Sequence, residues 1–299
     1  MVKTIIDKLT DKFHNKGLSE TTIKSYIGNL KKLNRDKPVK SLAFLKNKDD
    51  IMELLHKYKD NTKRNFLITI CAVLNGEKLY KKSYDDYYDM LMDKNKTLKS
   101  EEAKNEKNDK QKENWIDWED VVKKYDELYD KAMSIKTIKT QGDYNSFIDA
   151  IVLGLYTDIP PRRNEYQTLN VGGDKGNRIL LDEKKMILET FKTAKKEGTK
   201  KIDLPDKLVN LISSFVKKRQ VKPNEGGTPL FVDEDGKTPT HSNYITRRLN
   251  SIFKKKVGSS MLRHIYLSSK YGKVQDDMKD DAELMSHSTT QQKDYIKNN

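Results

Sequence analysis

The sequence predicts a mainly α-helical protein of two domains, with a small antiparallel β-sheet in the second. Three observations lead there. Amphipathic helical patterns fill residues 1–95, residues 96–114 are almost free of apolar side chains, and only around "NRILLDEKKMILETFKTAKKEGTKKIDLP" does the apolar spacing change to short strands.

The helices can be justified in order. In "LSETTIKSYIGNLKKLN", Ser19 is placed to cap a helix whose Ile23, Tyr26, Ile27, Leu30 and Leu33 share one face. "DDIMELLHKYK" repeats the pattern through Ile51, Leu54, Leu55 and Tyr58, and "TKRNFLITICAVLNG" through Phe66, Ile70, Val73 and Leu74. Residues 96–114 mix both charge signs and read as a solvated linker, or as a helix extension without a buried face. Residues 115–299 form the second domain. "NWIDWEDVVKKYDELYDKAM" and "GDYNSFIDAIVLGLY" are helical there, the latter apolar enough to be central, and Trp115 and Trp118 are expected in the core. After the three strands, helical patterns resume at "DKLVNLISSFVKKR" and continue to the end.

Composition narrows the partners. The 299 residues carry 59 Lys and Arg against 45 Asp and Glu, a formal charge of +14, which favours a polyanion, nucleic acid ahead of a membrane surface. No apolar run approaches the roughly 20 residues that span a bilayer, and the first residues alternate charged with apolar groups, so an intracellular protein is expected. The single cysteine, Cys71, lies among apolar neighbours and reads as a small buried hydrophobe.

Residues able to do chemistry form an ordered set. "IPPRRNEYQTL" projects two arginines, Arg162 and Arg163, from a rigid proline pair behind a buried helix. "TFKTAKKEG" places Lys192 where a strand enters a charged turn, with Lys195 and Lys196 close behind. "GSSMLRHIYLSSKYG" carries Arg263 and His264 on a helix, and "MSHSTTQQKDYIKNN" ends the chain with His287 and Tyr295. Singly, each cation is ordinary on a basic protein. His14, His56 and His241 read as surface or packing residues, and His264 points about 100 degrees away from its neighbour Arg263.

In that order the set resembles the tyrosine recombinases, or phage-type integrases, whose catalytic domain shares its active site with type IB topoisomerases. The resemblance covers most of the chain. "RRNEYQTL" matches the family pattern through Arg162, Glu165 and Leu169, and that register selects Arg162 over Arg163. "FKTAKKEGTKKIDLP" is similar to the strand-borne lysine segment through Lys192 and Thr193. "MLRHIYLSS" supplies the second arginine, Arg263, and "LMSHSTTQQKDYI" supplies His287 and the nucleophile Tyr295. One position departs: where the family usually has His three residues before the second arginine, this chain has Ser260. A serine can bind a phosphate oxygen but cannot shuttle protons near neutral pH as imidazole does.

The resemblance implies a site-specific recombinase or integrase that clamps duplex DNA between an α-helical core-binding domain and a catalytic domain. It also implies a 3′-phosphotyrosine intermediate, a free 5′ hydroxyl, and assembly into a tetramer on DNA, without metal, ATP or other cofactor. Two alternatives accompany it: a type IB topoisomerase relaxing supercoils, and a catalytically decayed DNA-binding protein. The Lys- and Asn-rich composition suggests a viral or mobile-element source. The four residues after Tyr295 are too few for a segment that docks on a neighbour; either the chain is cut short or its assembly relies on other surfaces and on DNA, and oligomers are expected only on DNA.

Elementary chemistry assigns the same residues compatible roles. Attack on a phosphodiester builds negative charge at phosphorus, which paired donors from two arginines stabilise. An ordinary tyrosine hydroxyl, with a pKa of about 10, needs a base or local positive charge to attack, and His287 and the arginines could supply that. The leaving 5′ oxygen needs a proton, which the mobile ammonium of Lys192 can deliver. Rival motifs fail. "VDEDGKTPTHS" would put Phe231 and Ser242 at the end positions of a calcium loop, and no Walker loop, zinc spacing or hydrolase elbow is present.

Overall fold

The computed structural model describes residues 3–102, 106–162, 164–219, 227–232, 239 and 243–295. The chain divides into two compact units, Met1–Glu106 and Lys107–Asn299.

The first unit is built from α1 (Ile5–Asn15), α2 (Glu20–Leu33), α3 (Lys48–His56), α4 (Asp60–Leu74) and α5 (Lys81–Glu102). Ser19 caps α2 by accepting the backbone N–H of Thr22 at 3.3 Å. The apolar faces legible in the sequence make the core: Ile23, Leu30, Leu33, Ile51, Leu55, Phe66, Ile70, Val73 and Leu74 are all buried, with Tyr26, Ile27, Leu54 and Tyr58 packed around them. Tyr87 of α5 closes this core, its hydroxyl donating to the carbonyl of Leu45 at 3.1 Å. Cys71 is buried as expected, and burial pushes its thiol up to about 11.

Much of 96–114 is helical. Helix α5 runs through Glu102, and a short α6 (Asp109–Asn114) opens the second unit, capped by Asn108 in a reciprocal box with Gln111. Asn114 is buried, donating to Lys110 at 2.9 Å and accepting the backbone N–H of Lys256 at 2.8 Å, which ties α6 to its own unit.

The second unit continues with α7 (Trp118–Ser134) and α8 (Gln141–Thr157). Helix α8 is buried from Ser146 to Tyr156 apart from Asp149 and lies at the centre of the core, as its sequence implied. It approaches α7 closely because position 154 is glycine; a Cβ there would meet the Tyr125 ring at 2.9 Å. Trp118 starts α7 and packs edge-on against Tyr266 at 5.1 Å, whereas Trp115 lies in the extended residue that ends α6.

A 3-10 turn, Asn164–Thr168, leads into the sheet: β1 (Asn170–Val171), β2 (Arg178–Leu180), β3 (Lys185–Leu188), the single turn α9 (Ala194–Glu197), β4 (Lys200–Asp203), then α10 (Asp206–Lys218) and β5 (Thr228–Pro229). The three expected strands are β2, β3 and β4, antiparallel with Ile179 opposite Met186 and Met186 opposite Ile202. The sheet as a whole is mixed, which corrects the antiparallel expectation. Its order is β4-β3-β2-β1-β5, and β1 runs parallel to β2. Parallel neighbours so close in sequence require the chain to reverse twice, and Gly172, Gly173 and Gly176 supply the left-handed conformations, with φ of 75, 85 and 72 degrees. Beyond β5 come α11 (Tyr244–Phe253), the long α12 (Ser259–Leu284) and α13 (Thr289–Tyr295). None of the described helices is long and apolar enough to cross a membrane.

Candidate active site

The expected site residues fall into two groups. The first surrounds a pair of buried tyrosines. Tyr156, near the end of α8, and Tyr166, in the 3-10 turn, are both fully buried, and their rings meet edge-to-face with centroids 5.3 Å apart. Burial pushes the Tyr156 hydroxyl well above the usual tyrosine range, with Tyr166 and Glu165 adding to the shift. A hydrogen bond with the Ser259 side chain and the positive charge of Arg263 act against it. Tyr166 is raised by burial too, and there the opposing charge is Arg162. Each tyrosine thus feels the charge of one arginine, Tyr156 that of Arg263 and Tyr166 that of Arg162.

Arg162 is half-buried. Its guanidinium lies over the Phe191 ring at 5.1 Å, and its Nε is buried with no hydrogen-bond partner among the described residues. The same holds for Glu165 Oε2 and the Tyr166 hydroxyl. Arg163, the alternative to Arg162, lies outside the described residues. Arg263 sits on the first turns of α12 and is half-buried, with His264 beside it exposed. Of the two serines that open α12, Ser259 is buried against Tyr156, and Ser260, the residue in the usual His position, faces solvent.

Lys192 stands four residues beyond the end of β3, exposed, next to the Phe191 that carries Arg162. Its loop is fixed by a residue the sequence did not single out. Asn177, buried before β2, accepts the backbone N–H groups of Glu189 and Thr190 at 3.0 and 2.9 Å. Its amide donates to the carbonyls of Thr190 at 2.8 Å and Glu165 at 3.3 Å. One side chain therefore binds the lysine loop to the turn that follows Arg162. On α9, Glu197 is held below the usual carboxylate range, first by the Thr193 hydroxyl, then by Lys200, and more weakly by Arg162.

The second group is at the other end of α12. Ser286 takes a left-handed conformation with φ of 56 degrees, and the His287 N–H returns to the carbonyl of Ala282 at 3.0 Å, ending the helix. Ser288 then caps α13 by accepting the N–H of Gln291 at 3.2 Å. The reversal brings the rings of His287 and Tyr295 together, with centroids 5.8 Å apart and planes 32 degrees from parallel. His287 Nδ1 lies 3.3 Å from the Ser288 carbonyl; the tautomer that donates there leaves a lone pair on Nε2, 3.2 Å from the Met285 sulfur. Tyr295 is 68% exposed. It shares a cavity of about 600 Å3 with Met278, Asp281, Met285, His287 and Gln292.

At about 1.5 Å per residue, α12 carries the chain about 30 Å from Arg263 to Leu284, and even Met278, beside Tyr295, lies about 20 Å along it. In this conformation His287 and Tyr295 are brought to each other but not to the arginines. Among the described residues no cluster of three or more His, Cys, Asp or Glu side chains could hold a metal ion.

No family model matches the chain, and no curated protein does. Among solved structures, the crystal structure of XerA recombinase aligns with 99% of this chain and 93% of its own, at 13% sequence identity and a TM-score of 0.37. A likeness of that size carries no inference about what this chain does.

Several residues of the first group were not legible as site residues. Tyr166 reads by default as packing, which it is, and nothing local in the sequence marks its hydroxyl as facing Arg162. Tyr156 and Ser259 meet only because α12 begins where α8 ends in the fold. Asn177 sits in a glycine-rich turn, where an asparagine is commonplace.

Proposed function

We propose that this chain breaks and rejoins duplex DNA as tyrosine recombinases do, with Tyr295 as nucleophile and a 3′-phosphotyrosine intermediate. What supports the reading is that the charges of Arg162 and Arg263 act on two tyrosines whose buried rings touch. Two arginines, one of them with a buried unpartnered N–H, suit a phosphodiester whose non-bridging oxygens gain charge as it is attacked.

The other roles follow from position. His287, packed on Tyr295, takes the phenolic proton as the phosphorus–oxygen bond to tyrosine forms. The bond to the 5′ oxygen breaks, and Lys192, on the loop beside Arg162, gives that oxygen its proton. Rejoining is the reverse, so the phosphoester bond is conserved throughout. Glu165 and Ser260 support the arginines, Ser260 without the proton exchange an imidazole would offer. The formal charge of +14 suits a DNA partner. The reaction requires the two groups to be joined, either by a bend in α12 or by a second molecule on the same DNA.

The deciding experiment is incubation with nicked duplex libraries, recovery of DNA covalently attached to protein, and sequencing. Capture by the wild-type chain and none by Tyr295→Phe is expected, with affinity for DNA nearly unchanged because one hydroxyl adds little to many phosphate contacts. Equal capture by the Phe variant would remove Tyr295 from the mechanism, and no capture by either would remove the reading.

A further inference from the structure

We infer that α12 is a self-association surface: its outer part pairs antiparallel with the same helix of a second copy of this chain, without DNA. The helix leaves its unit early. Ile265 is buried and Trp118 packs on Tyr266, but no described residue from Tyr266 to Asp281 is buried. Along that stretch Leu267, Tyr271, Val274 and Met278 follow one another at intervals of four, three and four residues, and His264 and Asp281 extend the spacing by three residues at either end. Alternating intervals of three and four give the 3.5-residue period of a seam between paired helices, so the set stays on one face. Leu267, Tyr271 and Val274 are 48%, 46% and 53% exposed, a contiguous apolar stripe that nothing in the chain covers.

The order of residues along the stripe points to a second copy as its partner, because turned end for end it is its own complement. With a two-fold axis between Gly272 and Lys273, Tyr271 stands opposite Val274 of the second copy and Leu267 opposite its Met278. His264 then stands opposite Asp281, where an imidazole N–H can donate to the carboxylate. On the flank of the seam Lys270 comes beside Asp277 of the second copy, and symmetry makes that ion pair twice. Lys270 already lies at the edge of the stripe, its ammonium 5.3 Å from the centre of the Tyr271 ring. Parallel pairing would instead set Asp281 against Asp281 within the seam, with Lys270 beside Gln275 and Asp277 beside Ala282. DNA is a poor occupant, since Asp276, Asp277, Asp280, Asp281 and Glu283 crowd one half of the helix. The cavity of about 600 Å3 beside Tyr295, lined in part by Met278 and Asp281, lies at the level where Leu267 of the second copy arrives. The apolar part of the seam, from Leu267 to Met278, is about 17 Å long, well short of three heptads, so the pair is weak and a dilute chain is monomeric.

Sedimentation of the full chain without DNA, from sub-micromolar to hundreds of micromolar, should show a reversible monomer–dimer equilibrium. Val274→Glu, at a position already exposed, should leave the thermal melt unchanged and weaken dimerisation tenfold or more, because it puts a carboxylate at the centre of the seam. Lys270→Asp and Asp277→Lys should each weaken it about tenfold by turning both ion pairs into repulsions. The double variant, which restores opposite charges in reversed order, should dimerise about as well as the wild type. A spin label at position 284 sets the orientation: the labels of an antiparallel dimer lie about 35 Å apart, those of a parallel one about 10 Å. The inference is overturned by a monomer at every concentration, by a dimer indifferent to Val274→Glu, by a double variant no better than either single one, or by the short label distance. None of these readouts uses DNA, so they stand or fall separately from the proposed recombinase activity.

Discussion

Arg263 lies near the start of α12 and His287 three residues past its end at Leu284, so about 30 Å of uninterrupted helix separates them. The spacing is imposed by α12, whose outer half is poorly buried: Leu267, Tyr271, Val274 and Leu284 are all exposed. Gly272 sits between these residues with ordinary helical geometry and open space around it, so it contributes flexibility without any packing reason for glycine. A bend there is the expected route by which α13 would approach the arginines.

Gly272→Ala should therefore favour the straight helix by about 1 kcal/mol, which lowers the bent population about fivefold. Spin labels at positions 264 and 284, both exposed, report the length of the helix, and buried Cys71 should not take label. One distance near 30 Å is expected in the free chain, with a shorter population on DNA that the Ala substitution diminishes. A single long distance on DNA that is being captured would show that a second molecule supplies Tyr295.

Asn177→Ala should leave the N–H groups of Glu189 and Thr190 unpaired and free the lysine loop from the Glu165 turn. The stability cost should be about 2 to 3 kcal/mol, read as a lower melting temperature, because buried donors lose their acceptor. Any covalent capture should fall further than stability does, since Lys192 and Arg162 would no longer be held together.

The helical faces of the first unit were legible because burial repeats with the helical period, as Leu30, Leu55 and Ile70 show. Strands β2 to β4 were legible as short Ile- and Leu-rich stretches between charged turns, but β1 has two residues and β5 includes Pro229, too little pattern to read, so the parallel pair was missed. In the site, residue order marked Arg162, Lys192, Arg263, His287 and Tyr295 as a set. Which of them touch depends on tertiary contacts: the Tyr156–Tyr166 pair and the Asn177 bonds form across segments that no local period connects. The continuity of α12 was hidden for the same reason, since a helical pattern says nothing about what covers it.

Alkaline pH should destabilise the fold steeply. Burial raises Tyr87 to about 12 and moves Tyr125, Tyr156 and Tyr166 upward as well. For an acid raised on folding, stability is fully present below the unfolded value of about 10 and is lost as pH climbs toward the folded value, because only the unfolded chain releases the proton. Tyrosinate absorbance should therefore rise in two stages, exposed rings first and the buried set together with loss of helical circular dichroism. Tyr87→Phe should soften the second stage. Gradual ionisation of all tyrosines without unfolding would contradict the burial described for these rings.

Lys192→Ala tests the division of labour on the loop beside Arg162. Lys192 is exposed, with no hydrogen bond or ion pair to the described residues, so the variant should melt with the wild type within about 0.5 kcal/mol. On ordinary nicked DNA, losing the proton donor should slow capture about 100-fold or more, the usual contribution of general acid catalysis. On DNA whose 5′-bridging oxygen is replaced by sulfur, the leaving thiolate needs no proton, and capture by the variant should return close to the wild-type rate. Lys195 and Lys196 on α9 provide the control, because alanine at either should slow ordinary DNA little and show no sulfur-specific recovery. A recovery that follows Lys195 or Lys196 instead would move the acid one turn along the loop, and equal slowing of Lys192→Ala on both substrates would leave this ammonium a role in binding phosphate alone.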